Sequence, residues 1–167
     1  MKIEVYRACI PASKLMNENH GQHYRVQMGQ QKFIGNQFND LFEGREDGVA
    51  GFVMPRPEEI SELIGENDFT VIMEAWRPQN YSFDPLNYSR TYKLPLDLLI
   101  KNGYAVDDNW KYVNGYLITG GGASAWNRAF RYEGDGLPNE LTVPWWNDHC
   151  SSENSDMLIR VIFDIKN

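Results

Sequence analysis

Cysteine is nearly absent from this chain. The two that occur, Cys9 and Cys150, stand far apart with no Cys-x-x-Cys spacing. That excludes a zinc knuckle and gives no sign of a disulfide framework, so two reduced thiols are expected. Long hydrophobic runs are missing too. Nothing approaches the roughly 20 apolar residues that a membrane span needs. The N-terminal MKIEVYRACIPAS alternates like a strand instead of placing a long apolar block after a charged start. The expectation is a soluble, cytoplasmic protein with no membrane partner. Nucleotide-binding glycine patterns are lacking: Gly120, Gly121 and Gly122 follow a strand-like run with no Lys-Ser or Lys-Thr behind them, and a flexible turn is the simpler reading. No Gly-x-Ser-x-Gly elbow occurs. His149 and Cys150 are remote from His20 and His23, which leaves no transition-metal pattern.

Positive charge is scarce, with 16 Lys and Arg against 23 Asp and Glu and a net charge of -7. Affinity for nucleic acid rests on cations that neutralise phosphates, so the balance disfavours such a partner. The distribution is uneven, however. Glu43, Glu46, Asp47, Glu58, Glu59, Glu62, Glu66 and Asp68 are opposed only by Arg45 and Arg56, whereas residues 1–40 carry Lys2, Arg7, Lys14, Arg25 and Lys32 against Glu4, Glu18 and Asp40. A locally basic face on an acidic protein is compatible with that pattern.

The 167 residues, 42% of them hydrophobic, suit one domain with a sizeable core. KIEVYRACI at residues 2–10 alternates as a half-buried strand and Pro11 ends it. Residues 23–42 read as a helix weakened by Gly29 and Gly35. Residues 44–68 mix Gly, Pro and acid, a surface excursion with a short helix after Pro57. FTVIMEAWR at 69–77 is a strand with Phe69, Val71, Met73 and Ala75 on one face and Ile72 and Glu74 on the other. A helix follows over 88–102, with Gly103 at its C-cap and Pro95 inside it. Pro95 predicts a kink, or a regular part that starts near Leu94. KYVNGYLITGGG at 111–122 is a strand running into a glycine turn, and MLIRVIFDI at 157–165 a closing strand. The order implies an α+β two-layer fold: a mixed four-stranded sheet, helices on one face, and loop-rich insertions at about 43–68 and 123–156 in a single domain spanning 1–167.

Three acidic positions carry the chemistry by context. Asp84 follows the second strand, and Asp107 and Asp108 follow the second long helix. A strand entering a helix, and a turn leading back into a neighbouring strand, can bring those segments together at one end of the sheet. Carboxylates there would hold a hard divalent cation such as Mg2+, which activates water and stabilises charge on a phosphoryl group. Lys93, on the intervening helix, would add a positive charge beside the same phosphate. By spacing alone, Asp-Asp-Asn also suits an ordinary turn, and Asp84-Pro85 an ordinary turn initiator.

The run at residues 83–111, FDPLNYSRTYKLPLDLLIKNGYAVDDNWK, resembles the RusA-like crossover-junction endonucleases of phages and prophages. Their signature is Asp-x-Asp-Asn, a helix carrying Lys and Asp-x-Leu, then Gly, three residues and Asp-Asp. Asp84, Asn87, Lys93, Asp97, Gly103, Asp107 and Asp108 fall in that order. The preceding strand with Glu74, IPASKLMN near the N-terminus and His23-Tyr24-Arg25 ahead of a helix also fit. The resemblance implies a homodimeric, magnesium-dependent nuclease of a bacterial cell that resolves Holliday junctions and other branched DNA by paired nicks. It implies Asp84 and Asp108 as catalytic metal ligands and Lys93 as the catalytic lysine. Leu86 stands where the pattern has its second aspartate, and leucine coordinates nothing, so Asp107 or Glu74 would have to fill the vacancy. His23, Arg25, Lys32 and Arg90 are the expected phosphate contacts.

Two other readings stay open. One is a degenerate relative that keeps the dimeric scaffold as a DNA- or protein-binding module, which the acidic insertions favour. The other is an unrelated acidic protein with a coincidental Asp-Asp turn. The aromatic group Trp126, Phe130, Tyr132, Trp145 and Trp146, with Arg128 and Arg131 nearby, suits packing or a dimer contact better than base stacking.

Overall fold

A computed structural model of the protein describes residues 1–11, 24–44, 52–64, 69–77, 88–122, 150 and 156–166. The elements are β1 (Lys2–Ile10), α1 (Tyr24–Phe42), α2 (Pro57–Ser61), β2 (Phe69–Arg77), α3 (Ser89–Lys101), β3 (Val113–Gly122) and β4 (Met157–Ile165). The strands form one mixed sheet in the order β1-β4-β2-β3, with β4 antiparallel to both β1 and β2, and β3 parallel to β2. This is the expected α+β architecture.

One face of the sheet carries Phe69, Val71, Met73 and Ala75 from β2 and Met157, Ile159, Val161, Phe163 and Ile165 from β4, joined in one core with residues of α1 and α3. On α1 the buried positions Gln30, Ile34, Phe38 and Leu41 recur at helical spacing, which turns a weak helix former into a helix by burying one stripe. Phe38 stacks between Tyr6 and Phe42, with ring centroids 5.9 and 6.1 Å away. On α3 the corresponding stripe is Tyr92, Leu96 and Leu99.

α3 ends as Gly103 predicts. Gly103 has φ 90, its N–H donates to Ile100 O at 3.1 Å, and the N–H of Tyr104 donates to Leu99 O at 3.1 Å. That pair of bonds satisfies carbonyls of the last turn and needs a left-handed residue after the cap. Pro95 does not delay the helix to Leu94. α3 is continuous from Ser89, and the ladder bond that Pro95 cannot donate is outweighed by burial of Tyr92, Pro95, Leu96 and Leu99.

Two strand irregularities change which side chains face the helices. Between Glu4 and Tyr6 the pairing with β4 shifts, so Ile3 and then Tyr6, Ala8 and Ile10 oppose inward residues of β4. Between Val113 and Gly115 the pairing with β2 shifts as well, which aligns Tyr116 and Ile118 with Val71 and Met73. The glycine run is not a turn: Gly120, Gly121 and Gly122 continue β3 alongside Ala75, Trp76 and Arg77. A Cβ on Gly120 would lie 1.9 Å from the Ala75 carbonyl oxygen, so only glycine permits that approach.

The other face of the sheet is buried too, and it holds charge. Glu4, Arg7, Glu74 and Arg160 are each under 8% exposed. Arg160 Nη2 donates to Glu4 Oε2 at 2.9 Å and its Nη1 to Glu74 Oε2 at 2.9 Å, while Arg7 forms a two-point pair with Glu4. Cys9 and Cys150 are joined by a disulfide with Cα atoms 6.0 Å apart, which corrects the expectation of two reduced thiols. The partners are separated by 141 residues and meet because β1 lies along β4, an adjacency that spacing in sequence cannot show. Among the described residues no helix is long and apolar enough to cross a membrane.

Candidate active site

Because β3 runs parallel to β2, the end of β2 at Arg77 lies beside Gly122 and the start of β3 at Val113 lies beside Phe69. The segments after β2 and before β3 therefore leave opposite ends of the strand pair, not one end. What brings chemistry together is the turn at residues 104–112, which reaches back along α3 until Asp108 meets Lys93. Lys93 Nζ donates to Asp108 Oδ2 in a short contact, and the same ammonium pairs with Asp97 Oδ1 at 3.0 Å. Ser89, Lys93 and Asp97 occupy one face of α3 at four-residue spacing, turned away from the buried stripe.

The turn is held by its own side chains. The Asp108 N–H donates to Asp107 Oδ1 at 2.7 Å, Asn109 Nδ2 donates to Asp107 Oδ2 at 2.7 Å, and the Lys111 N–H donates to Asn109 Oδ1 at 3.0 Å. Both Asp107 oxygens thus already accept bonds within the turn, and Asn109 closes an Asx-turn on the Lys111 N–H, a turn role that the Asp-Asp-Asn composition suggests. The Tyr116 hydroxyl donates to the Asp108 carbonyl oxygen in a short bond from β3. Burial pushes the Tyr116 hydroxyl above its ordinary pKa, and the Asp107 and Asp97 carboxylates push the same way, so it stays a donor at neutral pH.

Lys93, Asp108 and Tyr116 line an open cavity of about 580 Å³ together with Ser89, Arg90 and an apolar floor of Met73, Leu96 and Ile118. Ser89 is five positions downstream of Asp84. Lys93 is half exposed and Asp108 is 23% exposed on its side chain, so solvent and ions reach the pair.

The other expected site residues divide clearly. Arg90 is exposed on the cavity rim. Lys32 is exposed on α1 and is not among the cavity-lining residues. Asp84, Leu86 and His23 lie outside the described residues, as does the side chain of Arg25. Glu74 is placed on the face of β2 opposite Met73, where it accepts from Arg160 and from Trp76 Nε1 at 3.3 Å. Strand alternation puts the sheet between Glu74 and the cavity. The idea that Glu74 replaces the missing aspartate is therefore corrected: its charge belongs to the buried network.

The donors present are carboxylate and hydroxyl oxygens, the set that suits magnesium and not a soft metal. Among the described residues no three His, Cys, Asp or Glu side chains converge on one point, so Asp108 with Asp107 would need a ligand from elsewhere, and Asp84 is the candidate. Sequence reasoning passed over Tyr116, Ser89 and Trp110. Trp110, two positions past Asp108, is 86% exposed, which its place in a polar turn does suggest. Tyr116 was hidden because the strand irregularity at Asn114 reverses the phase of β3.

No protein-family model matches the chain, and no curated protein or solved structure matches it.

Proposed function

We propose that the protein is a magnesium-dependent, RusA-like endonuclease that cuts the phosphodiester backbone of branched DNA, acting as a homodimer. The observation that carries this reading is the contact of Lys93 with Asp108 on the wall of an open cavity whose rim holds Arg90. A solvent-accessible carboxylate that can take a metal ion, beside a cation that can face a phosphate, supplies two of the protein groups that phosphodiester hydrolysis uses. Asp108, Asp107 and Asp84 would hold the magnesium, which supplies an activated water and neutralises charge on the phosphate.

The protein's own groups do the rest. Arg90 and Lys93 bind and orient the phosphate, with Tyr116 fixing the backbone of Asp108 so that its carboxylate keeps one direction. Lys93 pairs with Asp97 as well as Asp108, so a cation held at Asp108 would leave Lys93 with Asp97 as counter-ion and its ammonium available to the phosphate. Two counter-ions for one lysine let it serve both the empty and the loaded site.

A second reading is favoured by the same charges. Lys93 is already neutralised by Asp97 and Asp108, and Leu86 supplies no ligand, so a scaffold that binds DNA without cutting it is consistent with the site. The experiment is nicking of a labelled synthetic four-way junction in magnesium, comparing wild type, Asp108→Asn and Leu86→Asp. Cutting by wild type that Asp108→Asn abolishes supports the nuclease. Cutting by Leu86→Asp alone supports the degenerate scaffold, and silence from wild type and Leu86→Asp refutes catalysis by this site.

A further inference from the structure

The cavity at the Lys93–Asp108 pair is larger than a phosphate and a hydrated ion require, and most of its wall is apolar. At about 580 Å³ it falls within the range of about 300–1,000 Å³ typical of small-molecule sites. Met73, Leu96 and Ile118 form its floor, Tyr116 stands at its side, and Ser89 brings a hydroxyl. Tyr116 is 46% exposed, and its hydroxyl is anchored on the Asp108 carbonyl, so the ring is held in place without being covered. A phosphate alone would leave that apolar surface wet.

We infer that the cavity receives a single unpaired nucleobase adjoining the phosphate bound at Arg90 and Lys93, so that the site selects DNA with an unstacked nucleotide. This inference rests on the nucleic-acid reading of the site. Charge complementarity fixes the order of the parts. The Asp108 carboxylate on the same wall would be taken up by the divalent cation, leaving Arg90 and Lys93 to face the backbone, and the uncharged floor takes the flat, mostly apolar base. Every base has a π-face, so an aromatic wall binds it with little regard for sequence, while a hydroxyl reaches its polar edge. The cost of unstacking is lowest for a base that is already unpaired, which makes branch points and bulges the preferred substrates.

The test uses duplexes with one unpaired 2-aminopurine, compared with duplexes in which it is paired, and measures binding and 2-aminopurine fluorescence with Ca2+ in place of magnesium, so that Asp108 has a cation and Lys93 can reach the phosphate. Wild type is expected to bind the unpaired form at least about tenfold more tightly and to change its fluorescence on binding. Ile118→Trp, which fills the floor, and Tyr116→Ala, which removes the wall, should each bring the preference close to unity. If Ile118→Trp fails to fold, Tyr116→Ala decides alone. Binding of both duplexes with steep salt dependence and no preference by wild type would overturn the base pocket and leave the DNA reading standing. A preference that survives in the folded variants would overturn the pocket as well. Binding of neither duplex would overturn both.

Discussion

Replacing Arg160 by methionine is expected to cost about 3–5 kcal/mol of folding stability at pH 7. Arg160 is 3% exposed and bonds to two carboxylates at once, Glu4 Oε2 and Glu74 Oε2, each at 2.9 Å. Methionine keeps much of the packing volume and removes the charge. Glu4 retains Arg7, whose Nη2 donates to it at 2.7 Å, but Glu74, 1% exposed, loses its guanidinium. The neutral Trp76 Nε1–H at 3.3 Å does not replace a guanidinium, so the buried carboxylate is less well compensated and is driven towards its protonated form. Its carboxyl is then raised in the folded variant, so stability falls as pH rises through and above the ordinary carboxylate value of about 4. The damage should accordingly shrink in acid. For a domain of this size each kcal/mol moves Tm by about 2–4 °C, which predicts a fall of about 6–20 °C in a thermal melt followed by circular dichroism. The double variant Glu74→Leu/Arg160→Met should recover most of the loss, because an apolar pair of similar volume replaces the ion pair. A single-variant cost below about 1 kcal/mol, or no recovery in the double variant, would refute the placement of Glu74 in a buried network.

Three further outcomes follow from the fold. Gly120→Ala should destabilise the protein by about 3 kcal/mol in urea titration, because the new Cβ would meet the Ala75 carbonyl oxygen at 1.9 Å and backbone cannot yield there; a neutral result would contradict the β2–β3 register. The Tyr104 hydroxyl is pushed up to about 12 chiefly by burial, with Glu58 and Glu59 adding to it and Arg56 opposing it. Its stabilising contribution is complete below the unfolded value of about 10 and is lost as pH rises towards 12. Tyr104→Phe, which deletes the 2.5 Å bond to Pro55 O, should cost about 1 kcal/mol at pH 7 and flatten the alkaline decline measured by urea titration. Thiol titration of the unfolded, unreduced protein should find no free cysteine. Cys150→Ser should cost about 5 kcal/mol on the chain-entropy account of a 141-residue separation; two free thiols would refute the disulfide.

Most of the fold was legible because its signals are local. Alternation in FTVIMEAWR and MLIRVIFDI marks two central strands, and Gly103 marks the end of α3. What stayed hidden depends on neighbours in space. The parallel pairing of β2 with β3 decides that the Asp-Asp turn must reach back along α3, and no residue in that turn announces it. The phase reversals in β1 and β3 are single-residue events that leave composition unchanged. Glu74 looked available because a strand with one acidic residue on its second face reads as half-exposed, whereas its partner Arg160 is 86 positions away in sequence. The candidate site was half legible: Lys93 and Asp108 were singled out by their place in the chain and by resemblance, and their side chains meet, while the cavity floor of Met73, Leu96 and Ile118 forms only when three elements pack together.

The most direct test of the central claim is single-turnover nicking of a four-way junction in magnesium by wild type, Lys93→Met and Asp108→Asn, with a thermal melt of each protein. Both side chains are partly exposed, so their replacement should leave Tm within a few degrees. The account predicts that wild type cuts and that each variant cuts at least about a hundredfold more slowly, as expected when a charge that stabilises the transition state is removed. Folded variants that cut at the wild-type rate would show that the Lys93–Asp108 pair does not perform the reaction.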